Sequence, residues 1–162
     1  MSKSKTLLIV FGTGGHTSQM LKLINLLGNK FNYAFVIQKE DPLAQNKINV
    51  EGKVFFVNNP RLYAESYFVS FLRTLRSLYQ TFLILIKSNS DAVITAGPGV
   101  GVPFCYLAKI FGKKVIFLES WSRVYNKSLS GKLVYPIADL FFVQWEDLKK
   151  KYPKAIYAGR LA

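Results

Sequence analysis

The sequence predicts an α/β protein, a Rossmann-like parallel sheet with helices on both faces, built as one domain over residues 1–162. Three observations predict it. Short β-rich apolar runs alternate with segments of helical periodicity, the pattern of strand–helix–strand units. Several of the strands read as continuous apolar runs, as expected where both faces of a sheet are covered. Glycine-rich turns stand where a strand gives way to a helix, the position at which such sheets bind ligands.

Residues 5–11 form the first apolar run and read as a strand. Met20, Leu21, Leu23, Ile24 and Leu27 then mark a helix that Gly28 ends. Residues 33–38 and 53–57 read as the second and third strands. Between them, residues 39–52 are rich in Asn, Gln and Asp and read as a loop. Residues 65–87 carry the longest helical pattern: Phe68, Phe71, Leu72, Leu75, Leu78, Tyr79, Phe82, Leu83 and Ile86 fall at three- and four-residue steps. Arg73, Arg76, Ser77 and Gln80 fall away from that stripe. The stripe has two readings, a crossover helix packed on the sheet or an amphipathic helix on a membrane surface. Residues 91–96 are a fourth strand, 102–111 an apolar helix ended by Gly112, and 114–119 a fifth strand. A short helix at 129–137, a sixth strand at 139–144 and a seventh at 155–158 complete the pattern.

Lys and Arg number 22 against 9 Asp and Glu, a net charge of +13, which calls for an anionic partner. The positive charges are dispersed and no nucleic-acid motif occurs, so nucleic acid is not expected as a partner. One cysteine, Cys105, and one histidine, His16, cannot assemble a metal site, and no cofactor is expected. Cys105 lies in an apolar run and reads as a buried thiol. No run of 18 or more residues is free of charge, so no spanning helix is predicted.

Two glycine turns occupy the ligand-binding rim: Gly12-Thr13-Gly14-Gly15-His16-Thr17-Ser18 and Gly97-Pro98-Gly99-Val100-Gly101. Glycine admits close approach of a ligand to the backbone, and the helix start beyond it offers free N–H groups, a combination suited to phosphate or diphosphate. The G-x-G-x-x-G spacing of dinucleotide sites fails at Thr17, and no G-K-[ST] follows either turn. His16 is placed either to bond to backbone or to accept a proton, and the residues alone leave both open. Glu119 ends the fifth strand at the same rim, with Trp121 and Arg123 beyond it. A Glu119–Arg123 pair ordering the loop and a polar contact with substrate are both consistent with that placement.

The runs Gly12-Thr-Gly-Gly-His-Thr-Ser-Gln-Met-Leu21, Glu119-Ser-Trp-Ser-Arg-Val124 with Ser128-Leu-Ser-Gly-Lys132, and Asp139-Leu-Phe-Phe-Val-Gln-Trp145 with Lys151-Tyr-Pro-Lys154 and Gly159-Arg160 resemble one family. It is the acceptor-side, membrane-recruiting subunit of the eukaryotic two-subunit UDP-N-acetylglucosamine transferase of lipid-linked oligosaccharide synthesis. The bacterial capsule and exopolysaccharide proteins that enhance a partner glycosyltransferase are similar. The resemblance implies the N-terminal half of a GT-B glycosyltransferase, peripheral on the cytoplasmic face of a membrane. It implies a separate partner subunit carrying the nucleotide-sugar site and a lipid-linked diphosphate acceptor on this side of the cleft. The sugar would be of GlcNAc or galactose type.

By position, the resemblance implies that Gly12, Gly14, Gly15, Thr17, Gly97 and Gly99 hold the acceptor diphosphate, with His16 as candidate catalytic base. Tyr157, Gly159, Arg160 and Leu161 would dock the partner. Eukaryotic members begin with a membrane-spanning helix and this sequence shows none, which suggests a bacterial-type member attached reversibly through 65–87, 102–111 and its basic surface. Two other readings of the residues are a membrane scaffold with vestigial loops and a stand-alone nucleotide-binding enzyme. The broken fingerprint and Lys39 after the second strand disfavour the latter.

Overall fold

A computed structural model describes residues 4–58 and 67–161. Its core is a seven-stranded sheet in the order β3-β2-β1-β4-β5-β6-β7. The strands are β1 (Thr6–Val10), β2 (Asn32–Gln38), β3 (Gly52–Val57), β4 (Ala92–Thr95), β5 (Lys114–Leu118), β6 (Leu140–Val143) and β7 (Ile156–Tyr157). Every pairing is parallel. The helices are α1 (Gly15–Leu27), α2 (Tyr67–Ser88), α3 (Gly101–Ile110) and α4 (Leu129–Val134). Residues 65 and 66 of the expected long helix lie outside the described residues.

Side chains alternate between the two faces with the strand period of two. Leu8 and Val10 of β1, Val93 of β4 and Phe117 of β5 join one core with Leu85 of α2, Phe104 of α3 and Val134 of α4. Leu7, Ile9, Ile94 and Leu118 join the other with Met20 and Ile24 of α1. The first face is covered by three helices and the second by α1 and the short 3-10 helix Pro42–Lys47. That 3-10 turn, with Ala44 fully buried, replaces the expected loop.

The long helix departs from its sequence pattern. Ser77, Thr81, Ile84, Leu85 and Ser88 are buried, whereas Leu72, Leu75, Leu78, Tyr79, Phe82 and Ile86 of the apolar stripe are exposed. Of the two readings of the stripe, packing on the sheet does not hold for these residues: α2 turns its small, partly polar side inward. The hydroxyls tolerate this because they bond locally, Thr81 Oγ1 to Ser77 O at 2.8 Å and Ser88 Oγ to Leu85 O at 3.2 Å. Small side chains also let α2 lie close to the sheet and to α3. Phe82 meets Phe111 with ring centroids 5.8 Å apart. Ile110, Phe111 and Tyr106 on or beside α3, and Leu129 and Leu133 on α4, extend the exposed apolar surface across three helices. Ile110 is 75% exposed, far more than a core-facing residue of an apolar helix would be. At about 100° per residue, Arg76 and Lys87 fall on the flank of the α2 stripe. Among the described residues no helix is long and apolar enough to cross a membrane.

Candidate functional site

β1 and β4 are neighbours, but the helices that follow them leave on opposite faces, α1 on one and α3 on the other. The region beyond the carboxyl ends of two strands whose helices part in this way is the usual ligand position in an open parallel sheet. Both glycine turns line it.

The glycines divide into two groups. Gly12 is buried: a Cβ there would lie 2.7 Å from Pro98 Cβ and 2.8 Å from His16 Cβ, so the two turns buttress each other. Gly97 (φ 88°) takes a backbone conformation that side-chain-bearing residues rarely adopt and lies behind the His16 ring. Thr17 is also buried; its Oγ1 donates to Gly12 O at 2.9 Å and lies 3.3 Å from Asp41 Oδ2. Gly12, Thr17 and Gly97 thus hold the shape of the rim from behind. Gly14, Gly15 and Gly99 are exposed at its front, and nothing lies within 4 Å of a Cβ position at Gly14 or Gly99. No side chain caps the start of α1. Its first-turn N–H groups therefore have no side-chain cap at the positive end of the helix dipole, which suits an anion.

His16 is half-buried between the turns, and its Nδ1 lies 2.5 Å from Ala96 O. A carbonyl only accepts, so this bond fixes the proton on Nδ1 and leaves Nε2 as the acceptor of the neutral ring. The backbone bond and the capacity to take a proton, alternatives in the sequence, coexist: the first orients the ring for the second.

Glu119 is fully buried. Its Oε1 accepts from Ser120 N–H at 2.9 Å, and its Oε2 from Ser128 N–H at 3.2 Å and Tyr152 O–H at 3.0 Å. Burial, and then the Glu119 carboxylate, push the Tyr152 hydroxyl well above the usual range for tyrosine. Gly131 is required here, since a Cβ would crowd Glu119 Oε2, Tyr152 Oη and Ser128 Oγ. Glu119 therefore ties the 120–128 loop to α4. Arg123 is exposed, and no ion pair joins it to Glu119 among the described residues. Of the two readings the sequence left open, the Glu119–Arg123 pair is not formed: backbone N–H groups and a tyrosine occupy the carboxylate.

The 120–128 loop carries Trp121 over the first glycine turn, with its Nε1 3.3 Å from a Cβ position on Gly15. Lys22 Nζ stands 5.4 Å from the Trp121 ring centroid, and Trp145 Nε1–H donates to Trp121 O at 2.7 Å. Arg160 in turn lies over Trp145, 4.4 Å from its centroid. The C-terminal residues pack where the second face of the sheet is thinly covered. Leu161 joins that core, and its N–H donates to Gln144 Oε1 at 2.9 Å. Beside it a mostly apolar cavity of about 390 Å³ is lined by Leu23, Leu27, Ile116, Leu140, Phe142 and Arg160, among others. Tyr157 and Gly159 are exposed on the same edge. Among the described residues no cluster of three or more His, Cys, Asp or Glu could hold a metal ion. Sequence reasoning passed over Gln19 and the second tryptophan, although 15, 19 and 22 share a helix face by spacing.

A family model described as "Oligosaccharide biosynthesis protein Alg14 like" matches residues 7–161. The chain belongs to the Alg14 family. Its Alg14 relatives include the human protein named "UDP-N-acetylglucosamine transferase subunit ALG14", 35% identical over 181 residues, covering 98% of this chain and 84% of the human protein. The Schizosaccharomyces pombe protein of the same name is 35% identical over 176 residues, with coverage of 98% and 84%. Among solved structures, Acinetobacter baumannii MurG superposes with a TM-score of 0.71 at 16% identity, covering 88% of this chain and 42% of MurG. UDP-GlcNAc 2-epimerase from Methanocaldococcus jannaschii gives 0.72 at 16% identity, covering 96% and 45%. At those identities the likeness shows the fold of this Alg14-family chain, a Rossmann-like GT-B half, and the chain spans less than half of either structure.

Proposed function

We propose that this chain is the acceptor-binding, membrane-recruiting subunit of a heteromeric glycosyltransferase. The pair transfers a sugar, GlcNAc in the reading its relatives favour, from a nucleotide sugar to a polyprenyl-diphosphate-linked acceptor at the cytoplasmic face of a membrane. The observation that carries this reading is the open rim at the β1/β4 switch point. There Gly14, Gly15 and Gly99 surround His16, whose Nε2 is left free by its bond to Ala96. Open N–H groups suit the acceptor diphosphate, and Nε2 can take the proton of the attacking hydroxyl. The single GT-B-type domain described here supplies one wall of such a cleft, and a partner subunit would supply the nucleotide-sugar wall. The cavity beside the thinly covered β5–β6 face suits a partner element, with Tyr157, Gly159, Arg160 and Leu161 at its border. The exposed stripe of α2 continuing over α3, flanked by Arg76 and Lys87, suits the interface of an anionic bilayer.

The test is co-expression with a candidate partner and a transfer assay from UDP-GlcNAc to a polyprenyl-diphosphate acceptor. Activity is expected of the pair and not of this chain alone; transfer by the lone chain refutes the two-subunit reading. His16→Ala in the assembled pair is expected to cost 10²-fold or more in kcat, in line with the loss of a general base, at roughly unchanged assembly. Full activity of His16→Ala would favour the scaffold reading.

A further inference from the structure

Gln19 is fully buried on α1, and neither Oε1 nor Nε2 has a hydrogen-bond partner among the described residues. Both ends of a carboxamide held from water and left unpaired are destabilising, and such groups persist mainly where a ligand or a water completes them. Its location narrows the choice. Long side chains on a helix point back toward the N-terminus and lie over residues three and four positions earlier. For Gln19 those residues are His16 and Gly15, the uncapped first turn of α1.

Trp121 closes the space from above. Its indole touches the Gly15 position at one end and receives Lys22 on its ring at the other. Gly15, Gln19 and Lys22 are separated by four and three residues and so form one line along α1. By that spacing the ring, which meets both outer positions, falls over the middle one. Its Nε1–H faces the glycine turn, and the hydrogen bond anchoring this residue is made by its backbone carbonyl, not by the ring.

We propose that Gln19 and Trp121 belong to the acceptor site: the Trp121 indole covers the first turn of α1, and a diphosphate seated at Gly14–Gly15 takes hydrogen bonds from Trp121 Nε1–H and the Gln19 carboxamide. This rests on the reading that the first glycine turn binds the acceptor diphosphate. Opening of the cover exposes the Gln19 amide, and closing over the ligand pairs its Nε2–H₂ with a diphosphate oxygen, while Oε1 accepts only from a donor such as a water carried with the ligand. Lys22, on the outer end of the ring, adds positive charge at the entrance.

The full chain, with 5-fluorotryptophan at its two tryptophans, gives one ¹⁹F resonance for Trp121 and one for Trp145, assigned with Trp121→Phe. Titration with inorganic pyrophosphate is expected to shift the Trp121 resonance saturably and to leave that of Trp145 nearly in place. Gln19→Leu is expected to weaken pyrophosphate binding, read by calorimetry, by about tenfold or more. The same change is expected to raise the Tm of the ligand-free chain by roughly 2–4 °C, because an unpaired buried amide is removed. Gln19→Met serves if the leucine variant does not fold. A structural glutamine would show the opposite sign in Tm and no change in affinity. Pyrophosphate binding with a stationary Trp121 resonance and unchanged affinity in Gln19→Leu overturns this proposal alone. No calorimetric binding to the unsubstituted chain overturns the diphosphate reading of the turn together with it.

Discussion

Gly131→Ala separates helix propensity from tertiary packing, because the two predict opposite signs. In a solvated helix the change is favourable by about 1 kcal/mol. In this chain Gly131 lies in α4, and its added methyl would sit 2.6 Å from Tyr152 Oη and 2.8 Å from Ser128 Oγ, with Glu119 Oε2 closer still. None of the three is the free end of a mobile surface side chain. Glu119 is bound by two backbone N–H groups and Tyr152, and Ser128 Oγ accepts from Gly131 N–H itself at 2.8 Å. Overpacking costs about 1–3 kcal/mol. Displacing a buried carboxylate from its donors costs about 1.5–3 kcal/mol more. After the propensity gain, the net is a destabilisation of about 3 kcal/mol, read as a Tm lower by roughly 6–12 °C for a chain of this size. Tyr152→Phe frees space by removing one of the three oxygens, so the double variant should lose clearly less than the sum of the two single changes. An unchanged or raised Tm in Gly131→Ala would refute the packing of Glu119 against α4.

Other expectations follow from the same geometry. Burial pushes Asp139 upward, but the Val115 N–H and the Lys109 and Lys114 ammonium groups override it and hold the carboxyl at about 2. Its folded value is lower than its unfolded one, so its contribution to stability is complete above about pH 4 and is lost as pH falls toward 2. Denaturant titrations from pH 5 to 2 should show that loss, at about 1–2 kcal/mol because Lys114 is largely exposed, and Asp139→Asn should flatten it. Burial pushes the Cys105 thiol up to about 12, so labelling by a thiol reagent at pH 8 should be at least a thousandfold slower in the native chain than in denaturant. Combined replacement of Leu75, Tyr79 and Phe82 by Ser should lower Tm by no more than about 6 °C. It should also weaken sedimentation with phosphatidylglycerol vesicles more than tenfold. Retained vesicle binding would refute the role given to α2.

The strands and their parallel arrangement, though not their order, were legible in the residues because parallel, doubly covered strands leave apolar runs that turns punctuate, and each expected strand appears within about two residues of its bounds. The position of the rim was legible for the same reason: Gly12–Gly15 and Gly97–Gly101 sit at strand ends. Two things were not. Periodicity finds an apolar stripe but not what it faces, so the residues left both readings of α2 open; Thr81 and Ser88 could enter the core because their hydroxyls bond to their own helix or its end. The partners of Glu119 come from Ser128 and Tyr152, 9 and 33 residues away, and no local pattern links them. Arg123, nearer in sequence, offered itself as one of two partners, and neither holds the carboxylate.

On the proposed membrane role, the outward-turned stripe of α2 also fixes an orientation. α2, α3 and α4 share one face of the sheet, so a bilayer that receives Tyr79, Phe82 and Ile110 lies roughly parallel to the sheet plane. The glycine rim then opens sideways, about one helix diameter, some 10–12 Å, above the contact layer. An acceptor could slide into the rim by lateral diffusion without leaving the leaflet, and the search for substrate would run in two dimensions.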